Sequence, residues 1–154
     1  MIAAARGSVV SESIFLQSVH QKILHVIKDN SSPLLEAMIL DHFSHPGKML
    51  RPRLVYGLGS ALDIPEDLLG AWAAAGEIFH NATLIHDDLQ DGDEYRRGRP
   101  TTWKKYGAAQ AINVGDLLLL CGQQTIYKSL LSSDKKVELA NLFSEMTCKI
   151  VNGQ

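Results

Sequence analysis

With 154 residues, 45% of them hydrophobic and 21% charged, the chain has the size and balance of one folded domain, which excludes a disordered or fibrous segment. Its 15 basic and 17 acidic residues leave a net charge of −2, which excludes the basic footprint of a nucleic-acid binder. Cys121 and Cys148 stand singly, so a disulfide framework is excluded and two core thiols in a reduced, cytoplasmic protein are expected.

Residues 1–10 are expected to be flexible. The stretch from Met1 to Ser13 holds only a brief apolar run, broken by Arg6, Gly7 and Ser8, and predicts no secretory leader. Ser11 is placed to cap a first helix, in which Ile14, Phe15, Val19, Leu24, Val26 and Ile27 recur at three-to-four spacing as far as Asp29-Asn30. Ser32 and Pro33 open a second helix that runs to about Phe43, and His45-Pro46-Gly47 breaks the chain. A third helix is predicted from about Leu50 to Leu62, ending in an Asp63-Ile64-Pro65 turn.

Pro65-Glu66-Asp67 then starts a long helix reaching the aspartates at 87–91. Gly92 to Thr101, with Gly92, Gly98 and Pro100 spread through it, reads as a loop. Another long helix is expected from about Gly107, with the apolar run Leu117–Leu120 in the core, and Ser132-Ser133-Asp134 caps a last one. No segment alternates as a strand, and no apolar run is long enough to span a bilayer. The prediction is an all-α chain of five to six helices.

The chemistry concentrates near residue 90. On a helical wheel His80, Leu84, Asp87, Asp88 and Asp91 share a face, with Asp87 and Asp91 one turn apart. Like charges this close repel, and the helix C-terminus disfavours anions further. A local arrangement that unfavourable points to a bound cation, and Mg2+ takes carboxylate oxygens shared with a substrate phosphate. Arg96, Arg97 and Arg99 follow on the loop, and Lys48, Arg51 and Arg53 form a second basic set upstream. Guanidinium groups grip phosphate oxygens in pairs, so two basic clusters beside one acidic cluster imply two phosphorylated substrates.

Gly47-Lys48-x-x-Arg51-Pro52, Glu77-x-x-His80, Leu84-Ile85-His86-Asp87-Asp88-x-x-Asp91 and Arg96-Arg97-Gly98-x-Pro100 together resemble the trans-isoprenyl diphosphate synthases, or polyprenyl synthetases. Gly115-Asp116 and the terminal Gly153-Gln154 also match. The resemblance implies a helical bundle of the isoprenoid synthase type around a deep cavity, usually as a homodimer. It implies Mg2+ as cofactor, held by Asp87 and Asp91 with Asp88 in support. It also implies isopentenyl diphosphate bound by Lys48, Arg51, His80 and Arg97, an allylic diphosphate faced by Arg96, and head-to-tail condensation of the two. Phe79, Ala82 and Thr83, one to two turns before the first aspartate, would set product length. Small residues at 82 and 83 with Phe79 as a floor favour C15 to C20, and simple packing is the bland alternative.

Members of that family are about twice as long and carry a second Asp-rich motif that this sequence lacks. The expectation is therefore an incomplete bundle, residues 1–154 forming the N-terminal half of the domain, weakly active or inactive alone. One rival is a non-catalytic partner or regulatory subunit of a complete synthase. Another is a di-metal bundle prompted by Glu77-x-x-His80, but the second Glu-x-x-His it needs is missing. Terpene cyclases share the Asp-rich idea yet lack the Lys48/Arg51 set.

Overall fold

The computed structural model describes residues 11–44 and 47–153. The expectations for residues 1–10, for His45-Pro46 and for Gln154 lie outside the described residues. Seven helices are described: α1 (Glu12–Asn30), α2 (Pro33–Phe43), α3 (Leu50–Ala61), α4 (Glu66–Gln90), α5 (Thr102–Tyr106), α6 (Ala108–Tyr127) and α7 (Ser133–Val151). Ser11 and Ser32 cap α1 and α2 as their positions suggest, each hydroxyl accepting a hydrogen bond from the backbone N–H three residues on. Pro33 supplies the fixed φ of a first helical residue.

α4 is the central element. Its small residues Ala71, Ala73, Ala74, Ala75 and Ala82 are buried and let neighbouring helices approach closely. α6 packs along it most extensively, with α1 and α3 against its other sides. Phe15, Val19, Ile23 and Ile27 from α1 meet Ile39, Ile78, Ile85, Val114 and Leu118 in one core, each at most 1% exposed. Every such side chain contributes about 1.5–3 kcal/mol by leaving water. α7 adds a smaller cluster, in which Phe143 meets Phe79 edge-to-face at 5.4 Å between centroids.

The short α5 brings the described helices to seven where five to six are expected, and three further expectations need correction. The segment after α4 is not all loop: β1 (Tyr95–Arg96) and β2 (Arg99–Pro100) pair antiparallel, with Arg96 opposite Arg99. The two residues between them, Arg97 and Gly98, have φ of 52° and 77°, the left-handed pair that closes a tight hairpin in register with strand twist. Gly98 therefore marks a hairpin turn rather than mere irregularity. Second, Leu120 is 59% exposed, so the Leu117–Leu120 run straddles core and surface. Third, Cys121 is buried, and burial pushes its thiol up to about 11, but Cys148 is exposed. Among the described residues no helix is long and apolar enough to cross a membrane.

Candidate functional site

Two cavities lie side by side along α4. The first, about 260 Å³, is polar and lined by Asp41, His42, Glu77, His80, Asn81, Leu84, Asp88, Arg96, Arg97 and Arg99 among others. The second, about 330 Å³, is mostly apolar and lined by Arg51, Val55, Trp72, Gly76, Phe79, Thr83, Phe143, Met146 and Ile150 among others. His80 lines both. Volumes of this order suit bound small molecules.

The hairpin is pinned over the polar cavity by two carboxylates. Asp88 is 2% exposed, and its Oδ1 accepts from Nε and Nη2 of Arg96, each at 2.6 Å. That pairing, with the nearby carboxylates, raises the Arg96 pKa. Asp41 on α2 accepts from Lys105 Nζ at 2.8 Å and Tyr106 Oη at 3.1 Å, and its other oxygen lies 3.7 Å from Arg99 Nη2. The Lys105 hydrogen bond is the main reason its carboxyl sits below the ordinary range. Thr101 Oγ1 and Trp103 Nε1 both donate to the Asp93 carbonyl at 2.8 Å, fixing the way out of the hairpin.

Histidine protonation is controlled by the same surroundings. Burial, and then the positive charges of Arg51, Arg97 and Arg96, lower His80 to about 4, so its ring is neutral at neutral pH. His42 is lowered chiefly by burial, and its Nε2 lies 3.0 Å from Asn81 Oδ1. Glu77, 8% exposed, is raised by burial, against the pull of Arg51, Asn81 and Arg97.

The structure separates the residues singled out from sequence. His80, Asp88, Arg96 and Arg97 meet at the polar cavity, and Arg51, Phe79 and Thr83 at the apolar one. Ala82 is fully buried in the main core and lines neither. Asp87 is half-buried and Asp91 exposed at the end of α4, where the Asp91 N–H donates to the Asp87 carbonyl at 2.8 Å. Lys48 is exposed just before α3, and its carbonyl accepts from Arg53 Nε at 3.0 Å. Arg53 itself is drawn away to Glu12 of α1, 2.6 Å distant, so it leaves the basic set.

Among the described residues no three His, Cys, Asp or Glu side chains converge as a metal cage. The donor set nevertheless fits Mg2+. Asp87 and Asp91 offer hard oxygen ligands one helical turn apart, and this ion commonly takes only one or two carboxylates, completing its shell with water and substrate phosphate. His86, beside Asp87, has its Nε2 3.4 Å from Asp116 Oδ1, and its ring lies so close on Gly115 that a Cβ there would collide with it.

Asp41, His42 and Asn81 also line the polar cavity, outside the motifs that the sequence displays. Asp41 draws its partners from α5 and the hairpin, more than fifty residues later, and local spacing carries no sign of that. Asn81 did have a signal, since it follows His80 on the polar stretch of α4.

The polyprenyl synthetase family model matches residues 32–154. Over 97 residues the chain is 44% identical to the farnesyl diphosphate synthase of Escherichia coli, covering 62% of this chain and 31% of that one. The geranylgeranyl diphosphate synthase of Saccharolobus solfataricus is 38% identical over 103 residues, 67% of this chain and 31% of that one. Among solved structures, geranylgeranyl pyrophosphate synthetase from Geoglobus acetivorans superposes with a TM-score of 0.84 at 29% identity, covering 92% of this chain and 46% of that one. Geranyltranstransferase from Thermotoga maritima gives 0.80 at 32% identity, covering 92% and 52%. The chain thus spans about a third of the length of these curated relatives and about half of the solved ones. With its helical bundle matched to isoprenoid synthases and its sequence to the family model from residue 32 onward, the chain belongs to the polyprenyl synthetase family, the trans-isoprenyl diphosphate synthases.

Proposed function

We propose that the chain is the N-terminal half of a prenyltransferase that condenses isopentenyl diphosphate with an allylic diphosphate into a C15 to C20 product. One observation carries the reading: a polar cavity that presents three arginines adjoins an apolar one, and His80 borders both. A molecule with a diphosphate head and a hydrocarbon tail needs that pair of surroundings in contact.

Each residue then has a physical task. Lys48, Arg51, His80 and Arg97 bind the isopentenyl diphosphate. Arg96 faces the allylic diphosphate, with the Nη1 side of its guanidinium left over from the bond to Asp88. Asp88 supports the site through that bond, and Asp87 with Asp91 would hold Mg2+. Mg2+ there would supply charge neutralisation for a departing diphosphate. In the reaction the allylic carbon–oxygen bond breaks, and its electron pair leaves with the diphosphate. The isopentenyl double bond supplies the electrons of the new carbon–carbon bond, and a proton is then lost. Arg96 stabilises the leaving charge, and a neutral His80 donates a hydrogen bond without adding a charge that would repel the allylic cation. Phe79 and Thr83 bound the tail. Homodimer assembly is supported by the apolar Ile112, Leu120 and Tyr127 that α6 leaves exposed.

The test uses the purified chain, its mass checked against 16.9 kDa. Calorimetry should show isopentenyl diphosphate binding, weakened by Arg51→Ala, while Mg2+-dependent condensation is weak or absent. No binding would refute the assignment of the cavities. Vigorous product formation would refute the half-enzyme reading.

A further inference from the structure

Glu77 lies on α4 one turn before His80, lines the polar cavity and is 8% exposed. Its Oε1 accepts from Asn81 Nδ2 at 3.4 Å, a long bond, and Asn81 is held in turn by His42. Its Oε2 is buried and, among the described residues, has no hydrogen-bond partner. A buried carboxylate oxygen left unmatched is destabilising, so its place needs a reason beyond packing. Two cations act on it through space, Arg51 from α3 and Arg97 from the hairpin turn, and neither is bonded to it. Arg97 is already packed on the backbone of Gly47, its Nη1 2.7 Å from where a Cβ would stand. Arg51 is exposed and lines the apolar cavity, which shares His80 with the polar one.

We propose that Glu77 is a positioning residue: its unmatched oxygen receives the Arg51 guanidinium when a diphosphate enters the polar cavity. A guanidinium is a planar fork with donors on more than one edge. One edge on Glu77 leaves another aimed at phosphate oxygens beside Arg97. This inference rests on the diphosphate reading of the cavity given above. It has an unusual consequence, because a negative side chain then strengthens the binding of an anion.

Inorganic diphosphate titrated calorimetrically into the wild-type chain, Glu77→Gln and Glu77→Asp tests this. By Coulomb attraction alone, Glu77→Gln should bind the anion more tightly. Positioning demands the reverse, a weakening of about tenfold, the scale of one lost charge-assisted hydrogen bond. The Gln variant should melt no lower than wild type, since it relieves an unmatched buried charge. Glu77→Asp, which keeps the carboxylate, should recover part of the affinity. Binding by Glu77→Gln as tight as wild type or tighter, or no recovery in Glu77→Asp, overturns the inference while leaving the diphosphate site intact. A wild-type chain that binds no diphosphate overturns that site as well.

Discussion

The Asp88–Arg96 pair makes an asymmetric prediction. Removing Arg96 strands a carboxylate that is 2% exposed, whereas removing Asp88 leaves a guanidinium whose side chain is 34% exposed and can turn to water. Losing one partner of a fully buried pair costs about 3–5 kcal/mol. Here one partner is partly solvated, so Arg96→Ala should fall near the lower end, about 3 kcal/mol. Asp88→Ala loses only a charge-assisted hydrogen bond, itself discounted by solvent, about 1–2 kcal/mol. At this chain length each kcal/mol shifts the melting point by about 2–4 °C, so the two variants should separate visibly. Urea unfolding followed by far-ultraviolet circular dichroism gives both values, and a shared m-value shows that the unfolded state is unchanged. The double variant should lie nearer to Asp88→Ala than to the sum of the single losses, because deleting both groups leaves neither stranded. Equal costs for the single variants, or strict additivity in the double, would refute the burial argument.

Two further perturbations probe the cavities. His80 titrates at about 4 in the folded chain against an ordinary 6.5, so between those values the unfolded state binds the extra proton. Its contribution to stability is therefore fully present above pH 6.5, is lost as pH falls towards 4 and changes no further below that. His42 shifts in the same direction, so His80→Asn should flatten part of this slope in denaturation curves, and an unaltered slope would contradict the assignment. Gly76 lines the apolar cavity, and a Cβ built on it meets nothing within 4 Å. Gly76→Leu should thus gain helix stability of about 0.5–1 kcal/mol, keep its affinity for inorganic diphosphate and lose affinity for a long-chain prenyl diphosphate. Equal retention of both ligands would show that the tail goes elsewhere.

Local signals explain most of the helices. Serine caps, Pro33 and three-to-four apolar spacing place α1 and α2 within a residue of their observed ends, because capping and amphipathicity are written in neighbouring residues. The hairpin was illegible for the opposite reason. Its strands are two residues each, too short to alternate, and its stability comes from Asp88 and Asp41, one on the preceding long helix and the other two helices away. In the candidate site, residue types and spacing brought out the acid and arginine clusters. Helical-wheel geometry, however, put Asp88 with Asp87 and Asp91, and the fold turns it inward to Arg96. Likewise Arg53 looked like part of a phosphate grip until Glu12, forty-one positions earlier, claimed it.

Gly115 and Gly122 stand about two turns apart on α6, and each has a ring pressed onto it, His86 at the first and Phe143 at the second. One ring belongs to the acidic end of α4, and the other walls the apolar cavity. α6 thus works as a ruler with two zero marks, setting the separation of headgroup and tail regions by how nearly its backbone touches its neighbours. A methyl group at either mark would move the gauge itself. These positions should therefore be as closed to substitution as residues that grip a ligand, although in a survey of variants they would look like ordinary lattice points of a helix.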